Sequence, residues 1–302
     1  MDEATGVEQN AIHVKVFGAS DMGRIRKNNE DSFVVCNLTT GEVGLTPAVR
    51  AHTLGNRGTL FMVADGMGGE ASGEVASQIC THTVPQRLYE NLKSLDQVSE
   101  PNFVLLLRES IEYANQIIHQ KALSDPVHRG MGTTTTAAVL FGRNLFVAQV
   151  GDSRAYLMRR NELTQLTRDQ TFLNYLKDIG AELPADPEKD SRKSILTQAV
   201  GSSENVNVKV TYTKVHQGDS LLLCSDGLYN MVPAAEILAS MKGSEPLPNK
   251  CQSLIDKANA KGGNDNITVV MAEFSGPGLL AAAPTAAVEF KEFREEDFRA
   301  RP

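Results

Sequence analysis

The sequence contains little cysteine, with four residues in a chain of 302. No two of them form a CxxC pair or another spacing typical of metal ligands, which argues against a cysteine-based metal site. Each cysteine lies in a largely apolar stretch, and this predicts a reduced, buried thiol instead of a disulfide. The four are Cys36, Cys80, Cys224 and Cys251.

Long apolar runs are also scarce, and basic residues are outnumbered by acidic residues, 30 to 37. No run approaches the roughly 20 residues that a membrane span needs. The segment MDEATGVEQN at residues 1–10 is too acidic and polar for a signal peptide. The net charge is -7 and the pI about 5.5, and an acidic protein repels nucleic acids and anionic lipids. We therefore predict a cytoplasmic protein without a membrane span and without a nucleic-acid partner.

The chain has enough apolar material for a packed core, at 41% hydrophobic and 22% charged residues. Short runs rich in β-branched residues predict strands, and several are separated by turn-prone residues as in antiparallel hairpins. These runs are 11–17, 32–38, 59–64, 134–141, 144–150, 153–159, 206–212, 219–224 and 267–274.

Helical patterns lie between the groups of strands. Apolar residues recur at helical spacing from Val104 to Ile118, and a helix is expected at about 73–92 with a kink at Pro85. Two more are expected near 233–241 and 249–260. Helices grouped between runs of strands indicate an α+β layered fold, not alternating βαβ units.

Two segments fall outside this pattern. Residues 39–58 have no clear periodicity and are predicted to form a long loop. Residues 275–302 begin with SGPG and end in a charged stretch, which predicts a mobile linker or tail after a catalytic domain at 1–274. Its phenylalanines, Phe290, Phe293 and Phe298, leave open a second interpretation as a docking peptide.

Acidic residues recur in the turns at predicted strand ends. A single Asp-Gly or Asp-Asn is an ordinary turn dipeptide. Because antiparallel strands alternate in direction, however, acidic residues after some strands and before others can gather at one end of the sheets. Four or more carboxylates there would repel one another unless cations compensated them. The residues are Glu30, Asp31, Asp65, Asp152, Asp226 and Asp265.

This acidic set predicts a site for hard cations. Oxygen ligands favour Mg²⁺ or Mn²⁺ over zinc. Gly66, directly after Asp65, allows close approach of the backbone, so that its carbonyl is a further candidate ligand.

The motifs that carry these residues resemble the protein phosphatase 2C family, in its bacterial form. They occur in family order and span about Phe17 to Phe274. The resemblance implies two packed antiparallel sheets flanked by pairs of helices, a four-layer αββα sandwich. The motifs are GASDMGRIRKNNEDSF, FMVADGMGGEASGEVAS, GMGTTTTAAVL, VAQVGDSRAYLMR, LTRDQTFLNYL, LLLCSDGLYNMV and GGNDNITVVMAEF.

The resemblance also implies a role for each matching residue. Asp65 matches a ligand that bridges two metal ions, and Gly66 matches a carbonyl ligand. Asp226 and Asp265 match ligands of the first metal. Asp31 matches a carboxylate of the dinuclear shell, and Glu30 a neighbour that acts through water. Arg26 matches the phosphate-binding arginine, Asp152 a ligand of a third, weaker metal, and Thr134 a threonine near that third site.

The expected activity is hydrolysis of phosphoserine and phosphothreonine in proteins, opposing a Ser/Thr kinase. Two divalent ions, Mn²⁺ or Mg²⁺, can activate water and neutralise developing charge. An arginine suits phosphate because its planar fork donates paired hydrogen bonds, although Arg26 in RIRKNN also fits a solvated surface charge. The absence of a GxxxxGK[ST] loop and of a CxxxxxR loop argues against a P-loop NTPase and a cysteine phosphatase.

The chain departs from the family at positions where relatives carry histidine. It has Met67, Glu70 and Gln170 there, and its six histidines lie outside the core motifs. Leaving-group protonation is therefore assigned either to metal-bound water or to Glu70. Residues of about 170–200 resemble the flap subdomain of bacterial members, which is associated with substrate choice. A catalytically inactive phosphoprotein binder and a small-molecule phosphatase are the alternatives.

Overall fold

A computed structural model describes residues 10–44, 48–68, 72–187, 190–283, 287–294 and 296. Six of its strands form one antiparallel sheet in the order β10-β9-β12-β13-β1-β4. They are β1 (His13–Asp21), β4 (Arg50–Thr53), β9 (Arg154–Arg159), β10 (Glu162–Gln165), β12 (Ser220–Cys224) and β13 (Ile267–Ser275).

The second antiparallel sheet has the order β14-β11-β8-β7-β5-β2-β3, and a short strand, β6, also pairs with β5. Its strands are β2 (Asp31–Asn37), β3 (Glu42–Gly44), β5 (Thr59–Met67), β6 (Gly132–Thr133), β7 (Thr135–Phe141), β8 (Asn144–Val150), β11 (Lys209–Lys214) and β14 (Lys291–Glu292).

The helices cover the outer faces of both sheets. A long pair packs on the second sheet and a shorter pair on the first, so that the layers run helix, sheet, sheet, helix. This arrangement confirms the predicted α+β class and its four layers. The helices are α1 (Ser72–Lys93), α2 (Glu100–Ser124), α3 (Phe172–Asp178), α4 (Asp226–Tyr229), α5 (Ala234–Met241) and α6 (Leu247–Ala260).

Strand β5 shows why the central strands are apolar almost throughout. Phe61 and Val63 point into the core between the sheets, while Leu60 and Met62 point towards the long helices. Side chains alternate between the two faces of a strand, so a strand buried on both faces has no polar face to display. The Phe61 ring meets Phe274 of the opposite sheet edge-on, with centroids 6.1 Å apart.

Residues 39–58 differ from the predicted loop. They contain the short strands β3 and β4, which add to the edges of the two sheets by pairing with β2 and β1. Such strands are held mainly by main-chain hydrogen bonds at an edge, so they need no apolar alternation and leave little signal in the sequence. Helix α1 runs through Pro85, and the structure gives its bounds as Ser72–Lys93.

The described part of residues 275–302 also differs from the predicted mobile tail. Leu279 is buried in the core between the sheets, and β14 pairs with β11 at the edge of the second sheet. Phe293 is only 6% exposed. The sequence after Ser275 therefore contributes to both the core and the sheet, whereas Phe298 lies outside the described residues.

Cysteine burial follows the prediction. All four thiols are free and buried, and burial raises the pKa of Cys36, Cys80, Cys224 and Cys251 to about 12 in each case. Of the helices within the described ranges, none combines the length and the apolarity required to cross a bilayer.

Candidate active site

Two of the predicted acidic residues face each other on neighbouring strands of the second sheet. Asp31 opens β2, Asp65 lies near the end of β5, and the antiparallel register places the two directly opposite each other. The next residue, Gly66, donates its N–H to the carbonyl oxygen of Glu30 over 3.1 Å. The pairing of β2 with β5 therefore fixes four of the predicted residues at one end of the sheet.

The first sheet contributes two more aspartates at the same end of the sandwich. Asp226 is the first residue of α4, one residue beyond the end of β12, and Asp265 lies two residues before the start of β13. Because β12 and β13 are antiparallel neighbours, the end of one and the start of the other meet at the same edge. The ends of the two sheets thus bring together residues that lie far apart in the chain.

These residues share one pocket of about 790 Å³. Asp31 does not line it: it is only 9% exposed and lies beside Asp65 on the neighbouring strand. The predicted residues that line the pocket are Arg26, Glu30, Asp65, Gly66, Thr134, Asp152, Asp226 and Asp265.

The pocket strongly favours protonated carboxyl groups. Burial, followed by the charges of Asp152, Asp265 and Asp31, raises the pKa of Asp226 to about 8. Burial together with the nearby carboxylates raises the pKa of Asp65 well above its usual range. For Asp31, burial raises the pKa to about 6 despite a hydrogen bond from Ser225. The site therefore contains more carboxyl groups than its own cationic side chains can neutralise, as expected of a site that binds metal cations.

Two buried carboxylate oxygens support the same interpretation. Oδ1 of Asp31 and Oδ1 of Asp226 are buried without a hydrogen-bond partner, which is costly for a charged group. A hard divalent cation prefers oxygen ligands of this kind. The donor set therefore fits Mg²⁺ or Mn²⁺.

The carboxylates are nevertheless kept apart. Within the described ranges, no three Asp, Glu, His or Cys side chains are grouped closely enough to hold a metal ion as they stand. Like charges repel, and protein partners take some of the oxygens: Arg26 pairs with Asp265 at 2.7 Å, and Asn230 donates to Asp226 over 3.1 Å. A bound cation would have to draw these groups inwards.

Arg26 projects into the pocket from the loop between β1 and β2. Its hydrogen bond with Asp265 is the main cause of its raised pKa, yet its side chain remains 50% exposed. Asn266 holds this loop, because its amide group donates to the carbonyls of Met22 and Asn28 over 3.0 and 2.9 Å. Its Oδ1 accepts the N–H of Glu30 over 2.8 Å.

Sequence reasoning missed two of the residues that position the site. One is Asn266, which ties the loop of Arg26 to the start of β13. The other is Ser225, whose hydroxyl donates to Asp31 over 2.6 Å and accepts the N–H of Thr268 over 3.0 Å. Each lies next to a predicted aspartate in the chain, and that adjacency was the only available signal.

Thr134 and Asp152 lie together on the side of the pocket near β7 and β8. The Thr134 hydroxyl accepts the N–H of Asp65 over 3.0 Å and lies 2.7 Å from the Ser153 hydroxyl. Burial, and then the charge of Asp169, raises the pKa of Asp152 to about 6. Tyr229 donates its hydroxyl to the carbonyl of Asp152 over 3.1 Å. The predicted register, with Thr134 near Asp152, is thus compatible with the structure.

The structure also locates two of the three residues that stand where relatives carry histidine. Met67 lines the pocket, whereas none of the six histidines, all in described segments, does so. Gln170 accepts the N–H of Gly151 over 2.9 Å and thereby fixes the turn that carries Asp152. Glu70, the candidate proton donor, lies outside the described residues.

For the protein stripped of divalent cations, we expect the free energy of unfolding to fall as the pH rises from about 4 to about 8. An unfolded aspartate titrates near 3.9, whereas folded Asp31 has a pKa of about 6 and folded Asp226 one of about 8. Between these values the folded state binds more protons than the unfolded state, and so loses stability as they leave.

Thermal unfolding in EDTA at about pH 5 and about pH 8 checks this expectation. The midpoint should be lower at the higher pH by about 10 °C, and excess Mn²⁺ at that pH should recover the loss. A higher midpoint at pH 8 in EDTA would contradict the prediction.

Comparison with known proteins identifies close similarities. The sequence model of the family described as Protein phosphatase 2C matches residues 48–262. The serine/threonine phosphatase stp of Listeria welshimeri is 35% identical over 254 residues, which cover 84% of this chain and 93% of the relative.

Two solved structures are similar over most of their length. The serine/threonine phosphatase of S. agalactiae has a TM-score of 0.74 and 30% identity, over 86% of this chain and 98% of the other. The catalytic domain of the serine/threonine protein phosphatase PstP, in complex with 2 manganese ions, has a TM-score of 0.68 and 32% identity, over 87% and 99% of the two chains.

Proposed function

The chain belongs to the protein phosphatase 2C family and is a phosphatase, and from this premise we propose that it hydrolyses phosphoserine and phosphothreonine in proteins at a dinuclear Mn²⁺ or Mg²⁺ centre. One observation carries the proposal. Acidic residues from the ends of both sheets converge on one pocket, and buried oxygens of Asp226, which lines it, and of neighbouring Asp31 have no hydrogen-bond partner within the described residues.

Each acidic residue has a distinct position relative to the proposed ions. Asp65, with the Gly66 carbonyl beside it, would be a ligand shared by both ions. Asp226 and Asp265, at the end of the first sheet, would hold the first ion. Asp31, opposite Asp65 on the neighbouring strand, would complete the acidic shell, with Glu30 acting through water. Asp152, beside Thr134, would hold a third, weaker ion.

The bound ions would supply activation of water and neutralisation of the charge that develops during phosphoryl transfer. The protein's own contribution is to place the phosphate. Arg26 donates to Asp265 through one nitrogen, and its half-exposed guanidinium has further N–H groups that could form a paired contact with phosphate oxygens. Ser225 and Asn266 keep Asp31 and the loop of Arg26 in position.

A protein substrate fits the names of relatives such as the serine/threonine protein phosphatase PstP of Mycobacterium tuberculosis and the protein phosphatase PhpP of Streptococcus pneumoniae. Such an enzyme opposes a Ser/Thr kinase, and we infer a signalling role of this kind. The four unpaired cysteines fit a reducing compartment, which supports the proposed cytoplasmic location. The inactive binder is not favoured, since Asp31, Asp65, Asp226 and Asp265 are all retained.

Hydrolysis by the purified protein tests the proposal, with a phosphothreonine peptide and an aryl phosphate as substrates. We expect turnover of both with Mn²⁺ or Mg²⁺, none with EDTA, and recovery when metal is restored. Calorimetric titration with Mn²⁺ reports binding independently of turnover. Metal and phosphopeptide binding without turnover would establish the inactive binder, whereas turnover in EDTA would overturn the metal centre.

A further inference from the structure

The segment at residues 287–294, which we call the strap, is fixed to the edge of the second sheet at several points. Arg159 donates to the carbonyl of Ala287 over 3.2 Å, and Thr213 donates to the carbonyl of Glu289 over 2.7 Å. Strand β14 then pairs with β11. The backbone on both sides of Phe290 is therefore held in place.

Phe293 anchors the far end of the strap. Its N–H donates to the carbonyl of Val210 over 2.8 Å. Its ring meets Phe146 and Tyr212 edge-on, with centroids 6.2 and 6.3 Å apart, and the Arg108 guanidinium lies 5.8 Å from the ring centre. Buried aromatic contacts of this kind are a strong anchor.

Phe290 differs from Phe293 because its side chain is exposed to solvent. It is 41% exposed and lines a groove of about 560 Å³. The same groove is lined by apolar and polar residues from the segment before α3 and from α3 itself, including Leu166, Thr171 and Leu173. An exposed aromatic side chain on a backbone that is already held in place is suited to contact a ligand, since little backbone entropy is lost on binding.

The groove adjoins the proposed metal pocket. Asp152 and Ser194 line both cavities, so that a chain whose phosphorylated residue reaches Asp65 and Arg26 can continue past Asp152 towards Phe290. A small phosphate ester, in contrast, would occupy the metal pocket alone. The strap, through Phe290, thus lines a groove that only an extended substrate can reach from the metal pocket.

The charges of the groove indicate what such a substrate carries. Two of its four cationic side chains are neutralised, Arg154 by Asp169 and Arg168 by Asp178. The other two, Lys177 and Lys193, have no ion-pair partner in the part of the chain that the structure describes. Positive charge is therefore available for an acidic side chain.

We propose that this groove binds the substrate polypeptide on one side of the phosphorylated residue, with Phe290 contacting an apolar side chain and Lys177 and Lys193 an acidic one. The inference rests on the proposed function and adds a specificity surface to it. The strap, which lies beyond the residues matched by the family model, would then help to select substrates as well as cover the edge of β11.

The test compares three substrates: an aryl phosphate, a phosphothreonine peptide with leucine and glutamate on both sides, and the same peptide with serine at those positions. The variant is Phe290→Ala. Leu280→Ala is the matched control, because Leu280 is 63% exposed after β13 yet lines neither the groove nor the metal pocket. Thermal unfolding of both variants serves as the check that each one folds.

For Phe290→Ala we expect kcat/KM on the leucine and glutamate peptide to fall about tenfold through KM, with the aryl phosphate unchanged and Leu280→Ala like the parent. Replacing Lys177 and Lys193 by serine should remove the preference for glutamate. Equal losses on all substrates, or no loss on the peptide, would overturn the inference. Failure of the parent protein to hydrolyse even the aryl phosphate would instead refute the proposed function.

Discussion

Replacement of Asp226 by asparagine is expected to lower phosphatase activity by about a thousandfold or more. Asp226 carries a buried oxygen without a partner and projects from the first sheet into the proposed metal pocket. Loss of metal-derived stabilisation of about 4 kcal/mol corresponds to about a thousandfold in rate. The amide keeps the shape and still accepts from Asn230, so the pocket itself should persist.

The same substitution should stabilise the metal-free protein, because it removes one of several carboxylates that repel one another. Steady-state kinetics with Mn²⁺ and thermal unfolding in EDTA measure the two effects. Asp96→Asn is the control, since it removes one exposed negative charge outside the pocket, and it should change neither quantity. Full activity of Asp226→Asn would exclude Asp226 as a ligand.

Replacement of Gly66 by alanine is expected to destabilise the fold by about 3 kcal/mol and to abolish most of the activity. A Cβ atom at Gly66 would collide with the carbonyl of Gly73 at the start of α1 and lie 2.7 Å from the carbonyl oxygen of Glu30. These are backbone atoms, which cannot rotate aside as a flexible side chain can. Strand β5 and helix α1 would have to separate at the site.

Gly142→Ala provides a comparison for that substitution. Gly142 has φ +57°, and a Cβ there would meet nothing within 4 Å, so its cost comes from backbone conformation alone and should be about 1 kcal/mol. Denaturant unfolding of the metal-free proteins measures both costs. If Gly66→Ala were no more destabilising than Gly142→Ala, close packing of β5 against α1 would not be the reason for glycine.

The acidic residues of the site could be predicted because they stand at strand ends, where the sequence itself changes from apolar to polar. Asp65 follows an apolar run directly, and Asp226 follows one after a single serine. Their supporting contacts could not be predicted. Ser225 bonds to Asp31 across 194 positions of the chain, and Asn266 bonds to Met22 across 244. Contacts of such separation depend on the completed fold, not on local pattern.

The fold was predictable to the extent that burial imposes a pattern. Strands buried on both faces, such as β5, are apolar throughout and were recognised. Strands β3 and β4 lie at sheet edges, where main-chain pairing suffices and the side chains carry no period. The strap was missed for a related reason. Apart from Phe293, it is attached through backbone groups, which are the same in every sequence and therefore leave no pattern to recognise.

The position of β13 affects the order in which the protein can fold during synthesis. This late strand pairs with β12 on one side and with β1, the first strand, on the other. Until the ribosome has released β13, the first sheet remains as two separate pieces with exposed edges, while most of the second sheet is already complete in sequence. The proposed metal site, which includes Asp265, is therefore completed only at a late step. A nascent chain arrested before that point would present unpaired strands to chaperones and would lack catalytic capacity.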